Sequence, residues 1–322
     1  MVAAPLTDNH RKMLTILVPV YNEGPNIQPL YDALQPVLAQ LERKYDTELL
    51  FTDNHSTDET FDHLQRLSGL DPRVRVLRFS RNFGFQRSIL TGYLNARGDA
   101  AIQIDCDLQD PPELLVEFVK RWEAGSRVVY GVRRGRKEGV PITLLRKVFY
   151  RLIDALSEDK LPLDAGDFRL VDRAVLNELA KMDDAHPYLR GAIAAMGFQQ
   201  EGLVYDRAER LRGQSKFDFG SLMRLALDGI LNHSIVPLRL ATYTGLAVSL
   251  LTFLGLLAYV GGRLLFGQTW PAGFTTVTVL VLLSISLNAL FLGVIGEYLG
   301  RIYQQVKKRP LTIIEQRLPA KD

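Results

Sequence analysis

Two long stretches near the end of the chain carry no charged residue, one from Leu240 to Gly262 and one from Leu264 to Gly296. Each holds the roughly 20 apolar residues that a helix needs to cross a bilayer core. They predict two membrane spans, about 240–262 and 274–296. A buried hairpin in a soluble core is the competing reading. Arg263 is the one charge between the spans, whereas Arg224, Arg239, Arg301, Lys307, Lys308 and Arg309 flank their outer ends. By the positive-inside rule, that bias puts the large N-terminal part and the C-terminal tail, 299–322, in the cytoplasm. A multi-pass protein of the inner, cytoplasmic membrane is therefore expected. Apolar residues Leu222, Met223, Leu225, Leu227, Ile230 and Leu231 lie among polar ones just before the first span, which suits a juxtamembrane amphipathic helix over 219–238. Asn288, Gly293 and Gly296 in the second span suit helix–helix packing, and such an anchor leaves room for a homo-oligomer, a dimer or a tetramer.

The rest of the chain is polar and mixed. With a net charge of +3 over 322 residues, nothing global points to nucleic acid. Cys106 is the one cysteine, so an internal disulfide is excluded. Residues 1–12 read as a disordered start without the apolar core of a secretory signal. From residue 13 to 218, strand-like and helix-like segments alternate. Strands are expected over 13–20, 48–52, 74–79, 100–105 and 127–132, and helices from 25 to about 44, after the loop 53–60, over 86–96 and over 112–124. Ser56 followed by Glu59 suits a capping box for the second helix. This alternation implies an α/β domain with a mostly parallel sheet and right-handed crossovers. In such sheets ligands bind beyond the carboxyl ends of the strands, where each polar motif of this chain falls.

The central stretch runs from Ala100 to Pro112, an apolar strand ending in Asp105-Cys106-Asp107-Leu108-Gln109-Asp110. Residues i and i+2 of a strand share a face, so Asp105 and Asp107 are expected to converge on one cation, with Gln109 continuing the register. Hard oxygen ligands suit Mg²⁺ or Mn²⁺, above all where phosphate oxygens complete the shell. A polar strand end entering a loop is the plainer reading. Downstream, Arg133 to Lys137 is a basic cluster, 144–156 reads as an amphipathic helix carrying Arg146, Gly166 to Leu170 places an acid beside a base, and Arg210 to Lys216 is a basic loop containing glycine. A loop of that last kind grips phosphate through cationic side chains and backbone N–H groups.

Val18-Pro19-Val20-Tyr21-Asn22-Glu23, the loop Asp53 to Thr60, Arg81-Asn82-Phe83-Gly84 and the Asp105 to Pro112 run resemble, in order, the motifs of family 2 glycosyltransferases with a GT-A fold. Gly166 to Leu170, Arg210 to Lys216 and the paired spans extend the resemblance to polyprenyl-phosphate glycosyltransferases, similar to dolichol-phosphate mannose synthase and the bactoprenol glucosyltransferases. The resemblance implies a GT-A (Rossmann-like) nucleotide-sugar-binding domain with a two-helix transmembrane hairpin. It implies that Pro19, Tyr21 and Glu23 line the nucleotide pocket and that Asp53 bonds the base. Asp105, Asp107 and Gln109 would hold Mg²⁺ or Mn²⁺ on the donor diphosphate, and Asp167 would lie near the sugar and metal. Asp107 and Asp167 are thus the expected catalytic pair. Arg133 and Arg146 would hold the acceptor lipid phosphate, and Arg210 and Lys216 the donor diphosphate. The chain departs from the family pattern in three places. Asp53-Asn54-His55-Ser56 replaces the common Asp-Asp-Gly-Ser, Phe85 and Gln86 stand where a lysine is frequent, and Tyr150 stands where a serine is frequent.

The expected reaction is transfer of a hexose from a nucleotide sugar to polyprenyl (undecaprenyl) phosphate, with inversion. UDP-glucose is the first donor considered, and GDP-mannose, UDP-N-acetylglucosamine and a modified arabinose stay open. A processive polysaccharide synthase is disfavoured because Arg121-Trp122 lacks the Gln-x-x-Arg-Trp spacing and two spans are few for a channel. A catalytically silent nucleotide-sugar-binding membrane scaffold is the alternative of another class.

Overall fold

The computed structural model describes residues 11–134, 165–182, 184, 187–206, 238, 241–248, 250–251, 254, 265, 273–307 and 309–319. The amphipathic segment 144–156, the juxtamembrane segment up to 237, Arg146, Arg210 and Lys216 lie outside these residues, as does most of the expected first span. The chain divides into two compact units, one containing the N-terminal region and the segment from Pro310, the other containing Gly220–Arg309.

The first unit is built on one eight-stranded sheet. Its strands are β1 (Met13–Val20), β2 (Asp46–Asp53), β3 (Val74–Phe79), β4 (Ala100–Gln103), β5 (Val128–Arg133), β6 (Ala165–Asp172), β7 (Gln200–Tyr205) and β8 (Ile314–Leu318). Their spatial order is β7-β5-β6-β4-β1-β2-β3-β8. The block β4-β1-β2-β3 is parallel, so all four strands send their carboxyl ends to one edge. β6 runs antiparallel between β4 and β5, β7 pairs with β5 in parallel, and β8 caps β3 in the antiparallel sense. The helices of this unit are α1 (Gly24–Leu41), α2 (Thr60–Leu70), α3 (Phe85–Asn95), α4 (Leu114–Glu123), α5 (Arg173–Leu179) and α6 (Leu189–Ala195).

The period-2 pattern decides which side chain meets which layer. Ile16, Val18, Phe51, Ile102 and Leu170 face one side and pack with Leu30 and Leu34 of α1, Leu64 of α2 and Phe118 of α4. Their neighbours Leu17, Leu50, Ala101 and Val171 face the other side and pack with Ile89 of α3, Val175 of α5 and Ile193 of α6. Burial on both faces is why β1 and β4 read as nearly continuous apolar runs rather than as alternating ones.

Four local expectations are corrected. The central strand was expected over 100–105 but ends at Gln103, and the chain then turns through Cys106 with Leu108 at a φ of 56°. Asp105 and Asp107 are therefore not paired by strand pleat, and Gln109 does not continue a register. The Ser56–Glu59 capping box does not form, because the Ser56 hydroxyl instead accepts the Asn22 N–H at 2.9 Å. Asp58, one residue before the N-cap Glu59, accepts the Thr60 N–H at Oδ1, 3.0 Å. The Gly166–Leu170 motif, read without a strand, lies in β6, and residues 314–318 of the expected tail form the edge strand β8.

The described part of the second unit is dominated by α7 (Phe274–Val306). Its segment Leu283–Gly300 is long and apolar enough to cross a membrane, and none of it is buried.

Gly98 opens the turn into β4 where backbone passes close. A Cβ added there would lie 2.6 Å from both the Ala100 carbonyl oxygen and the Thr15 nitrogen, and 2.9 Å from the Met13 carbonyl oxygen. All three are backbone atoms of the central strands and have little freedom to move aside. Gly98→Ala is expected to lower the unfolding free energy by about 1–3 kcal/mol, the usual cost of overpacking, read as a lower denaturation midpoint.

Candidate active site

Strand order reverses at β1, since the chain goes from β1 to β2 on one side and β4 lies on the other. The loops leaving β1 and β4 therefore diverge and leave a crevice at their carboxyl ends. The loops after β1 and β2 are joined into one surface. Thr57 N–H donates to Asn22 Oδ1 at 2.8 Å, Glu23 N–H to the Thr60 hydroxyl at 2.8 Å and Asn54 N–H to the Val20 carbonyl at 3.0 Å. Asn22 and His55 take left-handed backbone, φ 54° and 60°, which allows these tight turns.

Of the residues expected at the nucleotide, Pro19, Tyr21, Glu23 and Asp53 lie at the ends of β1 and β2. Pro19 is buried inside β1 opposite Thr52, Tyr21 is exposed at the strand end, and Glu23 accepts from Asn26 Nδ2 at 2.6 Å. Asp53 is fully buried at the end of β2 and accepts the Ser56 N–H at 3.0 Å. Its other oxygen makes no hydrogen bond and lies 3.8 Å from Arg78 Nε. His55 Nδ1 sits 3.0 Å from the Phe79 carbonyl and 3.7 Å from Glu315, so β8 braces this loop. Asn54 Oδ1 accepts the Phe83 N–H at 2.8 Å, which ties the same surface to the loop before α3.

The acidic side of the crevice is built by β4 and β6. Gln103 pairs with Arg169 in antiparallel register, and two residues further on each strand path stand Asp105 and Asp167. Asp105 sits in a protein-lined recess. Burial first, then the carboxylates of Asp110, Asp107 and Asp167, push it up to about 7, against a hydrogen bond from Gln103 Nε2 at 2.8 Å. Asp107 is buried and accepts the Gln109 backbone N–H at 3.2 Å. The structure thus brings Asp105, Asp107 and Asp167 together by a turn and a cross-strand register.

Several residues here were missed by sequence reasoning. Asp110 is fully buried and accepts a hydrogen bond from the Tyr205 hydroxyl of β7, and its Oδ2 lies 3.6 Å from Arg133. Arg133 Nε donates to the same hydroxyl at 3.3 Å. Burial works against the Arg133 charge, but Tyr205, Asp110 and Asp105 outweigh it, and the guanidinium binds its proton more tightly than usual. Its side chain is still 32% exposed, enough to meet a ligand. Asp167 is engaged by Gln86 Nε2 at 3.3 Å and by Arg190 Nε at 3.7 Å. Asp110 stood in the acidic run and Gln86 at a departure from the family pattern, whereas Tyr205 and Arg190 carried no sequence signal.

Among the described residues, no three Asp, Glu, His or Cys side chains are grouped to cage a metal. The donor set at Asp105 and Asp107 is chemically suited to a hard divalent ion in an open site, where ligand oxygens and water fill the remaining positions.

A three-layer α/β domain with acidic loops gathered at its switch point is the layout of a nucleotide-binding enzyme domain. The chain belongs to glycosyl transferase family 2, whose model matches residues 15–180. It is 40% identical over 306 residues to the Bacillus subtilis uncharacterized glycosyltransferase YkcC, covering 94% of this chain and 93% of that one. It is 35% identical over 304 residues to the prophage-derived bactoprenol glucosyl transferase of Shigella flexneri, covering 94% and 97%. A solved glucosyl-3-phosphoglycerate synthase from Mycobacterium tuberculosis shares 20% identity over 69% of this chain and 79% of its own, with a TM-score of 0.46.

The raised Asp105 fixes a sign for pH dependence. Folded protein holds this proton up to about 7, whereas the ordinary value is 3.8. Its contribution to stability is therefore complete below about pH 4 and is lost as pH rises through about 7. In the presence of EDTA, the melting temperature is expected to fall across that window. Asp105→Asn is expected to flatten the fall, which thermal unfolding at stepped pH would check.

Proposed function

We propose that this chain is a membrane-anchored, metal-dependent inverting glycosyltransferase that moves a hexose from a nucleotide sugar to a polyprenyl monophosphate. The observation that carries the proposal is the meeting, at one crevice, of the Asp105–Asp107–Asp167 carboxylates with the part-exposed cation Arg133. One half suits a cation-bound diphosphate and the other an anionic acceptor. Likeness over nearly the whole chain to a bactoprenol glucosyl transferase supports the acceptor class and makes UDP-glucose the first donor to test.

In this reading Tyr21, Glu23 and Asp53 shape the nucleotide end of the crevice, with Pro19 beneath them. Asp105 and Asp107, with Gln109 beside them, would hold Mg²⁺ or Mn²⁺, which would supply positive charge to the diphosphate leaving group. Arg133 meets the acceptor phosphate, held in place by Asp110 and Tyr205. Arg146 is proposed to share that phosphate, and Arg210 and Lys216 to share the donor diphosphate.

An acceptor phosphate oxygen forms the new bond to the anomeric carbon as the bond from that carbon to the diphosphate oxygen breaks. A phosphate monoester is already ionised at neutral pH, so no proton has to be removed from the nucleophile. Asp167 is accordingly assigned to positioning the sugar and metal side of the site rather than to obligatory base catalysis. Holding both reactants in one crevice replaces a two-body encounter with an oriented attack.

The spans near 240–262 and 274–296 would keep the lipid tail in the bilayer while its phosphate enters a cytoplasmic site. The exposed apolar Leu283–Gly300 segment supports the anchor, and a dimer or tetramer is compatible with it.

The test is a donor panel with purified protein, undecaprenyl phosphate, Mg²⁺ or Mn²⁺, and each labelled nucleotide sugar in turn. Label should pass into the lipid phase from one donor. EDTA should abolish transfer, and Asp107→Ala should lower it at least about 100-fold, as loss of a group that stabilises the leaving charge does. Nucleotide binding without transfer from any donor would reject the enzyme reading in favour of a scaffold.

A further inference from the structure

Gln86 stands at one of the positions where the chain departs from its family's pattern, and the functional reading above leaves it without a role. Its backbone is well fixed. Gly84, with a φ of 96° that only glycine adopts without strain, sets the start of α3. Gly84 N–H donates to Asn82 Oδ1 at 2.9 Å, and the Phe83 N–H bond to Asn54 ties the turn to the loop after β2. From this base the Gln86 amide reaches two other elements. Nε2 donates to Asp167 Oδ2 at 3.3 Å on β6, and Oε1 accepts the Leu189 N–H at 3.2 Å where α6 begins.

Both ends of the amide are in use, and in the one orientation that works. A carboxylate only accepts and a backbone N–H only donates, so a flipped amide would oppose both partners. A lysine here could serve Asp167 alone, and a glutamate Leu189 alone. Arg190, next to Leu189 and stacked at 5.1 Å over the Tyr188 ring, closes on the other Asp167 oxygen at 3.7 Å. The Arg169 guanidinium is buried and donates to the Gly166 carbonyl at 2.8 Å; burial lowers its hold on its proton, against the attraction of the Asp167 carboxylate.

We propose that Gln86 is a positioning residue for Asp167, clamping its carboxylate between α3 and the start of α6 so that it faces the crevice in a single orientation. The proposal rests on the reading of Asp167 as part of the transfer site. Its hydrogen bonds run to Asp167 and Leu189, and its effect on transfer passes through Asp167.

Gln86→Met keeps the length of the side chain and removes both hydrogen bonds. Transfer is measured for wild type, Gln86→Met, Asp167→Asn and the double variant, with the donor the panel identifies. The unfolding equilibrium constants of the same four proteins are measured in the absence of metal. The expected result is a fall in kcat of about tenfold for Gln86→Met, the worth of one hydrogen bond, with donor KM within about twofold of wild type. No further fall is expected when Gln86→Met is added to Asp167→Asn, and the unfolding constants should couple by about threefold or more.

Additive losses in the double variant, an unchanged kcat in Gln86→Met, or no coupling in unfolding would each overturn the proposal. Should Gln86→Met not fold, Gln86→Glu keeps the Leu189 contact and sets a like charge against Asp167. It should fold and lose kcat, and a wild-type kcat would overturn the proposal. Failure of the underlying reading is seen separately, as wild-type kcat in Asp167→Asn alone. If no donor turns over, the unfolding cycle still decides whether Gln86 and Asp167 are coupled.

Discussion

The structure depends on β1 being paired on both sides in the same direction, with β2 along its whole length and with β4 from Leu14 to Leu17. Two parallel ladders on one strand force both neighbours to end at the same edge and force the connecting helices onto the faces. They also force the chain to leave β1 and β4 in opposite directions, which opens a crevice that side chains alone could not make. Close backbone packing at Gly98 and the buried Thr15 hydroxyl, which bonds both Glu48 and Gly98, hold this centre together. The loops at that edge are then laid on a frame that is buried on both faces.

Across that crevice the charge is sorted by strand direction. The parallel strands contribute loops rich in backbone donors and short polar side chains. The antiparallel insertion of β6 brings an acid, Asp167, to the same edge by running the other way. Four carboxylates, Asp105, Asp107, Asp110 and Asp167, lie close enough for each of the other three to raise Asp105. Such a group is costly to assemble in a folded protein unless cations share the space. Arg133 offsets Asp110 from one side, and Arg190 with the buried Arg169 offsets Asp167 from the other. Asp105 is left with a neutral amide, Gln103, as its hydrogen-bond donor. Negative charge is thus concentrated at one point of the crevice and balanced at its borders.

Much of this was legible in the residues. The expected strands 13–20, 48–52 and 74–79 became β1 to β3 with small shifts at their ends. The loops after them were legible because Gly, Pro, Asn, Asp and Ser end strands for local reasons. β6 and β8 were not. Gly166-Asp167-Phe168-Arg169-Leu170 has polar residues at buried positions, and its strand state comes from being received between β4 and β5. Ile314–Leu318 is a strand because β3 presents an open edge more than 200 residues earlier in the chain. Neither partner is local, so no local pattern announces the pairing. The i, i+2 argument for Asp105 and Asp107 fails in its geometry, since the strand stops at Gln103 and a turn at Leu108 replaces the pleat.

By itself the sequence determined the class of fold, the family, the acidic run and the apolar C-terminal stretches, all of which are properties of short segments and their order. Only the tertiary structure decided which side chains meet. The contacts of Asp110 with Tyr205 span 95 positions and those of Gln86 with Asp167 span 81. A hydrogen bond needs its two partners within about 3 Å. That proximity is set by how strands are ordered in the sheet, which the spacing of residues along the chain does not encode.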